Sequence, residues 1–225
     1  MIDKNITIQE IQHALVGKGD YVKIDYLERL LKESVSMASR NFAMQKLAEI
    51  YKTRGMYPSA AKCYEALGIS ALTAGDKVKN FTAEAECYII ATHFDKVDFA
   101  LKRAMSEADA VSRQAVYDSV KELYKKYASD FEKERNKRNH ASKIYEKLLE
   151  MKLSDTERKE TKEKLTKIYE QLGKIKELFA LKNAPDRVKK MDLDMFDNEK
   201  NFNPSRDQFS DRKERRFLGI DGLDI

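Results

Sequence analysis

The chain has 225 residues, 36% of them charged, and only eight glycines and three prolines punctuate it. So few turn-formers exclude an all-β protein, while the wealth of Lys, Glu, Ala and Leu favours helix. A net charge of +5 permits contact with nucleic acid without requiring it, and no apolar run approaches the roughly 18 residues of a spanning helix.

The opening MIDKNITIQEIQ lacks the basic-then-apolar plan of a signal peptide. A cytoplasmic protein with no membrane insertion is therefore expected. Apolar spacing predicts helices over 6–16, 21–36, 40–54, 57–74, 78–92, 95–106, 108–129, 132–151, 155–172 and 174–183. Within the third, Leu47, Ala48 and Tyr51 share one face, and Gly55 follows where the chain must reverse. Tyr57 then packs under the turn, and Ala60, Tyr64 and Leu67 form the inner stripe of the fourth helix. A small residue at 60 lets two helix backbones approach, which describes a helical hairpin whose own core is too thin to stand alone.

Sites comparable to Ala60 fall at Ile24, Val97, Ala141 and Leu178, at successive separations of 36, 37, 44 and 37 residues. Gly19 and Tyr21 precede Ile24, Tyr88 and Phe94 precede Val97, and Tyr169, Gly173 and Ile175 precede Leu178. Tyr145 and Leu148 follow Ala141. In SDTE, Ser154 or Asp155 can accept the free amide protons that open the ninth helix. Pro185 then ends the helical pattern, because proline cannot donate into a continuing helix.

Residues 184–225 form a separate C-terminal arm in this reading, with 1–183 as the helical domain. The arm carries 9 Lys and Arg against 10 Asp and Glu, leaving residues 1–183 at +6. It has no sustained period, and its apolar residues are isolated among charges, so it is expected to be extended or disordered when free. Phe196, Phe202, Phe209, Phe217 and Leu218 are its apolar anchors, with Arg212, Lys213, Arg215 and Arg216 between them. Spaced aromatics on a polar chain fit linear recognition of a protein partner, where a few buried rings carry most of the energy.

The small and aromatic spacing resembles the tetratricopeptide (TPR) family, whose repeat is about 34 residues long. The unit from Asn41 to Ala74 carries the resemblance best, through Leu47, Ala48, Tyr51, Gly55, Tyr57, Ala60, Tyr64 and Leu67. Met44 stands where that family often has Trp, and Leu72 where it often has Pro. The longer flanking units are more similar to the SNAP-type subgroup. The resemblance implies an all-α, TPR-like right-handed α-solenoid of about five helix pairs. It also implies a concave, partner-binding groove presenting Gln45, Glu49, Lys52, Lys79, Thr82, Glu86 and Ile89. The family's clamp for a carboxylate tail uses Lys and Asn. Gln45, Glu49, Thr82 and Glu86 hold those positions here, which disfavours a chaperone-tail receptor.

No Gly-rich phosphate loop, no GxSxG and no zinc-binding pair occurs. Cys63 and Cys87 lie in helical patterns and read as small hydrophobes. His13, His93 and His140 lie far apart and read as surface residues. A non-enzymatic adaptor or assembly factor without a cofactor is therefore expected, binding protein within a larger complex. The alternative is an RNA- or ribosome-associated protein, which would hold phosphate with the +6 body, the run Lys133, Arg135, Lys137, Arg138 and Lys143, and the basic DRKERRF stretch of the C-terminal arm, Arg212, Lys213, Arg215 and Arg216. Glu132 and Glu134 within that run favour a solvated helix surface.

Overall fold

A computed structural model describes residues 5–183. Among them are ten α-helices and no strand: α1 (Ile8–Leu15), α2 (Asp20–Lys32), α3 (Met37–Thr53), α4 (Tyr57–Ser70), α5 (Ala74–Ile90), α6 (Phe94–Glu107), α7 (Ala110–Lys133), α8 (Arg138–Glu150), α9 (Asp155–Leu172) and α10 (Ile175–Asn183). The all-α expectation holds. No described helix is long and apolar enough to cross a membrane. The arm 184–225 lies outside the described residues.

Short polar side chains set the helix starts. Thr7 and Ser154 each accept the N–H three residues on while Glu10 and Glu157 reach back, giving two capping boxes. Ser36 accepts from the Ser39 amide at 3.1 Å, so α3 begins at Met37, three residues before the expected 40. Thr73 accepts from the Asp76 amide at 3.0 Å, which starts α5 at Ala74. The helix expected over 132–151 starts only at Arg138, because α7 runs on to Lys133 and a 3-10 turn at Arg135–Lys137 intervenes.

Three helix ends share one backbone turn. Gly55, Thr92 and Gly173 have φ of 72°, 57° and 68°. In each case the next residue's amide bonds back to a tyrosine carbonyl: Met56 to Tyr51 at 2.8 Å, His93 to Tyr88 at 3.0 Å and Lys174 to Tyr169 at 2.9 Å. The left-handed residue itself bonds to the following carbonyl, as Gly55 does to Lys52, Thr92 to Ile89 and Gly173 to Glu170. These are Schellman turns, which satisfy two carbonyls at the helix end. Ala60, Val97 and Leu178 each fall nine residues after the tyrosine, so three of the five markers follow one turn geometry. Ile24 and Ala141 do not.

Two compact units divide the chain, with Cys87 in the first and Tyr88 in the second, so the boundary lies inside α5. In the first, α3 packs on α4, α2 and α1. Ala43, Ala48, Ala60, Ala61 and Cys63 are fully buried there beside Leu27, Leu30 and Leu47. Small residues let the α3 and α4 backbones close, and each buried leucine contributes roughly 1.5–3 kcal/mol. Gly68 of α4 makes the tightest approach: a Cβ there would lie 2.5 Å from the ring of Phe81. In the second unit, α7 packs on α6 and α8, and α9 on α8 and α10, around Val97, Leu101, Val120, Ile144 and Ile168.

Tyrosines tie these helices together at their polar tips. Tyr51 donates to Glu28 Oε1 at 2.5 Å and Tyr169 to Glu146 Oε1 at 2.8 Å, both across 23 residues of sequence. Tyr145 donates to Glu132 Oε2 at 2.8 Å, and the Tyr117 hydroxyl accepts from the Lys152 amide at 2.9 Å. Burial, reinforced by the carboxylate, pushes the Tyr51, Tyr145 and Tyr169 hydroxyls well above their ordinary range, so they stay donors.

Candidate functional site

The residues expected to line a groove come from α3 and α5. The α3 face presents Gln45 and Glu49 to solvent, with Lys52 half-buried one turn on; α5 exposes Lys79 and half-buries Thr82 and Glu86. Ile89 is fully buried and belongs to the core rather than to an open surface. Its neighbours in sequence, Tyr88 and Ile90, are also buried, and Ile89 serves packing.

Lys52 and Glu86 meet directly, with Nζ 2.8 Å from Oε2. The Lys52 ammonium also lies 5.9 Å from the centre of the Tyr64 ring. Burial opposes the charge on Lys52, but the hydrogen bond and field of Glu86 outweigh it and hold the pKa above that of an ordinary lysine. Both charges are therefore satisfied internally. Glu49 likewise takes Lys46 at 2.8 Å. With those two pairs closed, the expected groove residues of α3 and α5 offer a partner the exposed Gln45, the half-buried Thr82 and the ammonium of the exposed Lys79.

A cleft of about 370 Å³ opens among α1, α2 and α3. Leu15, Val16, Phe42 and Ile50 give it apolar walls, while Lys23, Lys46 and Glu49 supply its charge. The end of α1 makes the opening: Val16 is extended at φ −60° and ψ 134°, and Gly17 at φ 70° turns the chain toward α2. Val16 is left 75% exposed at the lip. Sequence reasoning did not find this cleft. Its signal was an apolar residue immediately before a glycine, in a stretch where the reading placed Gly19 and Tyr21 instead.

The basic run is less free than its composition implies. Lys133 pairs with Asp130 at 3.1 Å and Lys137 with Glu134 at 2.8 Å. The Arg138 Nε–H points to the Glu132 carbonyl at 3.5 Å. Local pairing of this kind is the solvated-surface arrangement. Cys63 and Cys87 are buried thiols, each pushed by burial up to about 12, so neither is ionised at neutral pH. His13, His93 and His140 are exposed.

The arm residues Phe196, Phe202, Phe209, Arg212, Lys213, Arg215, Arg216, Phe217 and Leu218 lie outside the described residues. Compared with family models, curated proteins and solved structures, the chain matches none of them.

Proposed function

We propose that the chain is a TPR-like adaptor or assembly factor, a right-handed solenoid that binds protein through its helical body and its C-terminal arm. The observation that supports this most is the recurrence of one Schellman turn after Tyr51, Tyr88 and Tyr169, with a packing residue nine positions on in each case. Tandem helical hairpins cannot each bury their own face, and arrays of them present extended surfaces used for binding. The exposed Gln45, Glu49 and Lys79 and the apolar cleft beside Phe42 give that surface mixed chemistry. Binding takes place in the cytoplasm, and no catalytic step is assigned to the chain.

The arm supplies the second contact. Replacing Phe209, Phe217 and Leu218 together with Ala should weaken capture of the native partner at least tenfold, about 1.4 kcal/mol. Changing Arg212, Lys213, Arg215 and Arg216 to Ser should do less. The opposite ranking would make the arm an electrostatic tether and put the RNA-associated reading ahead.

A further inference from the structure

We propose that the cleft among α1, α2 and α3 is a docking site for this chain's own residues 217–225, FLGIDGLDI, held in cis. The inference uses the adaptor reading only in treating the arm as a recognition segment.

Charge and apolar content select that occupant. Along the arm, all nine Lys and Arg lie between 184 and 216, whereas 217–225 contains none. Its charges are Asp221 and Asp224, set among Phe217, Leu218, Ile220, Leu223 and Ile225. The cleft has the complementary plan. Its walls are Leu15, Val16, Phe42 and Ile50, and its charged lining holds two lysines against one glutamate. Glu49 is already taken by Lys46. Lys23, by contrast, has no ion-pair partner among the described residues and can meet an incoming aspartate.

Size and reach agree. About 370 Å³ lies at the low end of small-ligand pockets, room for roughly two or three apolar side chains but not for a helix. Residues 184–216 can span about 110 Å when extended. A tether of that kind gives a local concentration up to the millimolar range, so weak intrinsic affinity suffices to keep the segment docked. A docked segment would withhold Phe217 and Leu218 from a partner until the partner outcompetes the cleft.

The test uses the purified full chain with a benzoylphenylalanine photo-cross-linker in place of Val16, on an equal mixture of light and heavy isotope-labelled protein. The expected product joins position 16 to residues 217–225 within one isotope class, at a yield independent of protein concentration. Lys23→Glu should lower that yield at least fivefold, and adding Asp221→Lys with Asp224→Lys should restore it. Circular dichroism of Lys23→Glu checks that the body is intact. Cross-links confined to residues 5–183, cross-links between light and heavy chains, or a yield indifferent to Lys23→Glu would each overturn the proposal. No partner is present in this experiment, so its failure leaves the adaptor reading untouched, and that reading can fail while the cleft still holds the arm.

Discussion

Gly68→Ala and Gly75→Ala make the same chemical change in two neighbouring helices and should act with opposite sign. At Gly68 the new Cβ would lie 2.5, 2.7 and 2.9 Å from three carbons of the Phe81 ring. That ring is 4% exposed and cannot swing into solvent, so α4 and α5 must separate or Phe81 must leave its rotamer. Overpacking of this kind costs about 1–3 kcal/mol, against a helix-propensity gain of about 0.8–1 kcal/mol for Ala over Gly. A net loss of up to about 2 kcal/mol follows. For a chain of this size that is a fall in Tm of up to about 8 °C. Gly75 has nothing within 4 Å of its would-be Cβ, so Gly75→Ala carries only the gain, about 0.5 kcal/mol in a first turn. Thermal melts followed by circular dichroism read both. Phe81→Leu supplies the control, since in its background Gly68→Ala should lose most of its cost. A rise in Tm for Gly68→Ala, matching Gly75→Ala, would show that α4 and α5 do not approach at Gly68.

Thr92 holds the left-handed position that glycine fills in the two sister turns, and it is β-branched. Thr92→Gly removes about 1–2 kcal/mol of steric strain and should stabilise by roughly 0.5–1 kcal/mol after glycine's entropy; a lower denaturation midpoint would contradict the shared turn. Tyr145→Phe deletes a bond to Glu132 and should cost about 1–2 kcal/mol. The buried Tyr124 hydroxyl has no protein partner among the described residues, so Tyr124→Phe should be neutral or stabilising by urea denaturation. The hydrogen bond from Lys125, with that from the Ser154 amide, holds Glu157 down at about 2 from an ordinary 4.5. A carboxylate depressed on folding contributes fully above pH 4.5 and loses its contribution as pH falls toward 2. Glu157→Gln should therefore destabilise the protein at neutral pH and flatten its acid loss over that window, as urea midpoints across the range would show.

Helix content was legible because nearly every helix carries its own apolar stripe, and five of the ten have a polar side-chain cap. The Tyr51–Gly55–Ala60 spacing led directly to a hairpin turn with the same backbone as those after Tyr88 and Tyr169. The break between the helices expected over 78–92 and 95–106 was legible, but the positive φ of Thr92 was not, since nothing in its chemistry announces one. Boundaries moved where side-chain caps outranked apolar spacing, as at Ser36 and Thr73, and where the 3-10 turn at 135–137 split an apparently continuous pattern. The tyrosines were legible as core but their carboxylate partners were not. Glu28 and Glu146 lie 23 residues before Tyr51 and Tyr169, a pairing set by helix packing rather than by local sequence. The groove residues fared unevenly for the same reason. Lys52 and Glu86 neutralise each other, and Ile89 turns inward. The cleft beside Val16 depends on how α1 meets α3, which no periodicity encodes.

The central claim is that protein, not nucleic acid, is what the chain binds, and the salt dependence of capture tests it most directly. The full chain would be used to capture partners from native lysate, with and without nuclease, across a salt series from about 50 to 200 mM. The adaptor account predicts a protein partner retained after nuclease, with affinity changing less than tenfold across the series. Loss of the partner on nuclease treatment, together with a fall of about 10³-fold or more over that range, would contradict it.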